Sequence, residues 1–418
     1  MNCQRRNVQC SFQVYDPATP SRLAQINTLN DPLLSFPVPL SPVSHSTGNH
    51  DLQQALQNHS TQRALLDLLA ESDRSLFTNV LLHYADKTVP TLFFGSKAHM
   101  AWSGAIPALA TSFRFVLHGI LALGCLHLSI LDTTMSGKKA YEDLAADQLN
   151  MGMVQYREEL QEVTTANSEA LFAFSTTVTS YVLFTVGGQC KTTLETIRNS
   201  NDINTERRVE LTSSLSQTVC TAFRAQRGVL VIFVPCWHHI RNGPLEPIVA
   251  RDWWPTGVPS TQDQIDFDTK LRQVETMWSR PGKQYEYRFD TYRSALKGLR
   301  ETCAIVSKLA DDTPPGNKPG ELDFDWTAIF HWTSSLPMDF IVCLEAQEME
   351  AWVLAAHWAM LFAKIPSNFW LDGLGSSIVR TAAVVIGEEN WAWITWPAAV
   401  LGVNLLDFQA CKAPPLSN

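Results

Sequence analysis

Charge is scarce in this chain. Of its 418 residues 17% are charged, against 45% drawn from Ala, Val, Ile, Leu, Met, Phe, Trp, Tyr and Cys, which excludes an intrinsically disordered polymer. Basic charge is scarcer still. The 32 Lys and Arg face 41 Asp and Glu for a net charge of −9, the wrong sign for holding nucleic acid through counterion release. Direct DNA binding by the chain as written is therefore not expected. No uninterrupted apolar run reaches membrane length. Residues 112–131 come nearest, but Arg114, His118 and His127 are each costly in hydrocarbon, so a buried helix and no membrane span is the expectation. No apolar segment follows Arg5 and Arg6, so a secretory signal is not expected either. The nine cysteines, at positions 3, 10, 125, 190, 220, 236, 303, 343 and 411, are odd in number and form no framework, which favours free thiols in a reducing compartment.

Signatures of catalysis are missing as well. No His-Glu-x-x-His, G-x-S-x-G or G-x-G-x-x-G occurs, which removes the motif-based case for a zincin, a serine hydrolase of the nucleophile-elbow type or a dinucleotide fold. Asn201, Asp202 and Thr205 begin like a magnesium-diphosphate motif, but the next acid, Glu210, stands nine residues from Asn201, where eight is needed, and so faces the opposite side of a helix from Asn201. Asp311 and Asp312 lack a third acid. Ser136-Gly137-Lys138 lacks the earlier glycine of a phosphate loop, with Asp132 in its place. His118 and His127 share one helix but are nine residues apart, half a revolution, and His238 and His239 diverge as neighbours. Cys3 and Cys10 alone are too few for a zinc site. Neither a metal nor a cofactor is expected.

What the sequence does contain is helix. Residues 13–50, with six prolines among Ser, Thr and Asn, read as a flexible linker. From residue 51 to 418 apolar residues recur at three and four spacing and strand patterns are nearly absent, so the fold class is all-α, a large helical globule. Helices are expected over 106–131, 141–163, 168–186 with a stop at Gly187-Gly188, 209–228, 229–240, 265–279, 287–309, 336–362 and 369–386. Residues 190–206 are expected to form a loop or weak helix, and 311–320 a surface loop. Aromatics are abundant in these helices. Plain core packing explains most of them, while the sharper reading is an apolar pocket between helices, lined by Phe174, Phe184, Phe233, Met338, Trp358 and Phe362.

Several dispersed stretches carry a resemblance. They are AWVLAAHWAMLF at 351–362, FWLDGLG at 369–375, WAWITWP at 391–397, LLHY at 81–84, HGILALGCLHLS at 118–129, and the run from Arg227-Gly-Val-Leu through Gly243-Pro-Leu245. In content and order, over about residues 70–410, they resemble the regulatory domain of fungal zinc-cluster transcription factors, with a pattern similar to that of sterol uptake control proteins. That family's DNA-binding module is a two-zinc, six-cysteine cluster ending in Cys-x2-Cys-x6-Cys. Residues 1–12, with Cys3 and Cys10, are similar to its last two cysteines and form a remnant that cannot build the cluster.

The resemblance implies a regulatory domain in the nucleus or cytoplasm. It would bind a hydrophobic sterol- or terpenoid-like molecule and could form a homodimer or a heterodimer with related regulators. Two other classes stand beside it. One is a domain repurposed as a biosynthetic cyclase or pericyclase, such as a Diels-Alderase, needing no metal or cofactor, for which His118, His127 and His238, with Trp358, would be the residues to inspect. The other is an interaction protein that blocks full-length regulators.

Overall fold

The computed structural model describes residues 60–93, 95–199, 204–250, 258–279, 288–311, 324–365 and 368–409. Cys3, Cys10 and the expected linker at 13–50 lie outside the described residues. Every regular element among the described residues is a helix, so the fold is all-α. The chain divides into two compact units. One comprises the chain through Tyr181 together with Ile232–Ala250, the other Val182–Val231 and the chain from Arg251 onward.

In the first unit, helix α1 (Glu71–His83) places Glu71 and Asp73 in its first turn and His83 in its last, each favourable to the helix dipole. It buries Phe77, Val80 and Leu81, spaced i, i+3 and i+4 on one face. The chain continues without a break into a π-helical turn, Tyr84–Thr88, and then into a short helix, Val89–Leu92, begun by Pro90 where proline fits. A second π-turn, Ala101–Ala105, leads into Ile106–Ser112. The expected helix over 106–131 is thus two helices. Phe113 takes an extended conformation at φ −121° and ψ 96°, and α2 (Arg114–Leu131) starts after it.

Helix α2 packs along α3 (Met135–Glu159) as a helical hairpin whose connection is only residues 132–134. Asp132 Oδ1 holds this turn by accepting from the Thr134 backbone N–H at 2.8 Å and its hydroxyl at 2.7 Å, and Thr134 in turn caps α3 by accepting from the Gly137 N–H. Two glycines let helices approach closely. A Cβ on Gly124 would stand 2.8 Å from Val80 of α1, and one on Gly152 would stand 2.8 Å from the ring of Phe174. Phe115, Tyr156 and Phe174 form an aromatic triangle, with ring centroids 5.0–6.0 Å apart.

Helix α4 (Ser168–Asn199) and helix α5 (Thr205–Arg241) each contribute to both units. The stop expected at Gly187-Gly188 does not occur. Leu183, Val186, Cys190, Leu194 and Ile197 keep the three-and-four spacing and are all buried, so packing carries the helix through two poor helix formers. Residues 190–199, expected to be loop or weak helix, are accordingly helical. The two helices expected over 209–240 are likewise one, running through Pro235, an internal proline on an exposed face.

The second unit is built around indoles. Trp332, Trp352 and Trp358 are fully buried, and each indole N–H donates to a backbone carbonyl: Trp332 to Ala295 at 2.8 Å, Trp352 to Leu344 at 3.0 Å and Trp358 to Ile329 at 2.9 Å. Helix α6 (Gln262–Arg272) is held to α7 (Phe289–Asp311) by Asp268, which takes the Arg300 guanidinium on both oxygens at 2.6 and 2.8 Å. Helix α8 (Met338–Glu345) leads into α9 (Met349–Ala359), in which Glu350 through Ala359 are all buried, the behaviour of a helix that is apolar on every face. Helix α10 (Leu374–Ile386) starts at Gly373, whose φ of 70° is a conformation glycine adopts without strain.

Three helices are long and apolar enough to cross a membrane by length and composition: α2, α4 and α5. In α2 and α4 72% of the apolar window is buried in protein, whereas in α5 the figure is 39%. The six described cysteines, Cys125, Cys190, Cys220, Cys236, Cys303 and Cys343, are all free thiols.

Candidate functional site

The residues expected to line one pocket fall into both units and are mostly packed as core. In the first unit, Phe174 is fully buried between α2 and α3, where Gly119 and Gly152 face its ring. Phe233 lies half-buried with its centroid 5.6 Å from that of Phe172 and 5.0 Å from that of Trp237. In the second unit, Trp358 is in contact with Phe223, Trp332 and Phe362 at centroid distances of 5.2, 5.5 and 5.0 Å. Phe184 is half-buried beside Phe369. Met338 is 62% exposed, and its sulfur accepts from Arg227 Nε at 3.1 Å.

Of these six, Phe362 borders a cavity of about 140 Å³ at the start of α10. Its apolar wall is Phe362, Ile365, Leu371 and Leu401, and its polar wall is Asn368, Asp372 and Ser376. Gly375 brings α10 against Phe362 here, since a Cβ on it would stand 2.7 Å from the Phe362 Cβ. Pockets that take drug-sized ligands span roughly 300–1,000 Å³. The cavity holds a fragment as it stands, and a polycyclic molecule requires α10 and the segment before it to move apart.

The histidines sit in three different settings. His118 Nδ1–H donates to Gln148 Oε1 at 2.8 Å, and burial keeps its pKa below the ordinary imidazole value. His238 is exposed on α5, with its backbone carbonyl accepting from Asn242. His127 is buried, and its Nδ1 is hydrogen-bonded to Thr88 Oγ1 at 3.1 Å. Its ring stands edge-on to that of His83, with centroids 4.8 Å apart.

His83 was not among the candidates from sequence, because a single histidine in LLHY gives no spacing signal. The fold pairs it with His127. Val80 and Gly124 mark the close crossing of α1 and α2, and three residues further along each helix stand His83 and His127. The π-turn beginning at Tyr84 then brings Thr88 within hydrogen-bond distance of the same imidazole. Burial lowers the pKa of both rings, His127 to about 4, so both are neutral near pH 7. His83 Nε2 and the Tyr84 hydroxyl are buried with no hydrogen-bond partner. Among the described residues no group of three or more His, Cys, Asp or Glu gathers at one point.

His83, Thr88 and His127 lie inside the segment that comparison identifies. Residues 79–199 match the family model of the fungal specific transcription factor domain. No curated protein and no solved structure matches the chain.

Proposed function

We propose that the chain is a regulatory domain of a fungal transcription factor, acting in the nucleus, whose output depends on a hydrophobic small molecule. The match over residues 79–199 carries the regulatory part of this reading. The small-molecule part rests on the all-helical architecture and on the cavity beside Phe362. A ligand there shifts activity only by binding one of two arrangements more tightly than the other. The closely packed start of α10 is the element whose opening would distinguish the two. The size of the cavity argues that a sterol- or terpenoid-like ligand selects an opened arrangement rather than the closed one. No observation favours the enzymatic alternative over this reading.

The test is to tether the chain to an unrelated DNA-binding domain and read a reporter gene, with and without sterols and with an extract of the producing fungus. The expected result is a change in transcription that a small molecule modulates, together with recovery of that molecule unchanged from the purified protein by native mass spectrometry. A tethered chain that leaves the reporter at its baseline under every condition would overturn the regulatory reading. A recovered molecule isomeric with the one supplied would instead make the chain an enzyme.

A further inference from the structure

We infer that the outer face of α8, with the α5 side chains beside it, is a surface on which two copies of this chain pair about a two-fold axis. The face belongs to the second unit. On α8, Phe340, Ile341, Cys343 and Leu344 fall on the inner side and are buried, which leaves Val342 at the centre of the outer side. Met338 and Glu345 flank it on one side, and Asp339 flanks it on the other. The first flank reaches α5: Arg227 Nε donates to the Met338 sulfur at 3.1 Å, and Arg224 forms an ion pair with Glu345. Arg224, Arg227 and Val231 share one face of α5 at three and four spacing. Val231, Met338 and Val342 are 61%, 62% and 56% exposed, so apolar surface extends across both helices and is not one stray side chain.

Charge decides what covers this face. Arg227 is half-buried, and its guanidinium donates to neutral acceptors, the Met338 sulfur and the Leu336 carbonyl. Burial lowers its pKa, and no carboxylate among the described residues pairs with it. Asp339 is exposed on the opposite flank and also forms no ion pair among the described residues. The face therefore carries a cation on one side of Val342 and an anion on the other. A two-fold axis through Val342 exchanges the two flanks, so that Arg227 of each copy meets Asp339 of the other and the same pair forms twice. Arg224 and Glu345 are already paired within the chain and stand outside this exchange. An acidic partner would satisfy Arg227 and leave Asp339 against like charge, and a basic one would do the reverse, whereas a second copy satisfies both. Met338, unbranched and adaptable, suits the apolar centre of such a contact. The face is small, of the transient class, which places the dissociation constant on the order of micromolar. The surface rests on neither the regulatory nor the small-molecule reading above.

Sedimentation equilibrium of the full chain over roughly 1–100 μM tests the pairing, with the folding of each variant checked by circular dichroism. The expected result is a monomer–dimer equilibrium. Val342→Glu, at an exposed position, should abolish it, and Met135→Glu, at the 82% exposed start of α3, should leave it unchanged. Arg227→Glu and Asp339→Arg should each weaken the dimer by about 100-fold, since each sets two like-charge pairs against one another. An equimolar mixture of these two variants should dimerise as the parent does, because the mixed pair restores opposite charges at both contacts. That recovery reads the contact itself, and damage to the fold cannot produce it. A chain that stays monomeric at about 100 μM, a dimer that Val342→Glu leaves intact, or a mixture of the two folded charge variants that associates no more tightly than either alone overturns the surface.

Discussion

Gly152 lies so close to Phe174 that a Cβ at its position would stand 2.8 Å from two carbons of the ring. The ring is therefore gripped by helix backbone, with Gly119 on α2 facing it as well, and is not free to line an empty pocket. Gly152→Ala sets two effects against each other. Alanine gains about 1 kcal/mol of helix propensity, while overpacking a rigid ring costs about 1–3 kcal/mol. Since a ring held by neighbours on several sides cannot swing away, the clash is expected to win, and a thermal melt should show a lower midpoint. Phe174→Ala, which opens a cavity in the same place, should lower stability by about 3–5 kcal/mol. A Gly152→Ala protein that melts at or above the parent temperature would show that the ring can yield.

That pair also illustrates how much could be seen beforehand. The three-and-four spacing of apolar residues located the helices, because that period is set by the helix itself and needs no tertiary information. Where tertiary packing overruled local preference, the reading failed. Helix α4 runs through Gly187-Gly188 because the buried Cys190, Leu194 and Ile197 hold its second half. Phe113 breaks the 106–131 stretch although no glycine stands at the break and Pro107 lies six residues earlier. The aromatics were legible as apolar and helical, but which of them touch each other was not. The indole bonds from Trp332 to Ala295 and from Trp358 to Ile329 join residues 37 and 29 positions apart. His83 was invisible as a site residue because its partner is a histidine on another helix, met only when Gly124 lets α1 and α2 close together.

Asp268 is the ionic anchor of the second unit. Burial alone would raise its pKa, but hydrogen bonds and charge from Arg300, with Arg272 adding to them, hold it below the ordinary carboxylate value. Because the folded pKa is depressed, the stabilisation is fully present above the unfolded value near 3.8 and is lost as pH falls through the lower folded value. Arg300→Met at neutral pH leaves a mostly buried carboxylate with Arg272 alone, and should cost about 3 kcal/mol by denaturant melt, at the lower end for breaking a buried pair. The double variant Asp268→Leu/Arg300→Met should recover a large part of that loss. If the double variant is no more stable than Arg300→Met, the loss comes from packing of the Arg300 stem and not from the stranded charge.

His357 sets the acid limit at higher pH. It is fully buried in α9, its Nδ1–H donates to the Val353 carbonyl at 2.7 Å, and burial lowers its pKa from 6.5 to about 4. Between those two values the unfolded chain binds a proton that the folded chain refuses, so stability falls as pH falls from 6.5 toward 4. His127, also lowered to about 4, acts in the same direction and over the same window. Melting midpoints should therefore drop steadily across this interval. His357→Gln, which does not titrate, should flatten the slope by the equivalent of about one proton. An unchanged slope in that variant would mean that His357 takes up its proton while still folded, and would leave the acid sensitivity to the other histidines whose pKa burial lowers, His83, His118, His127 and His331.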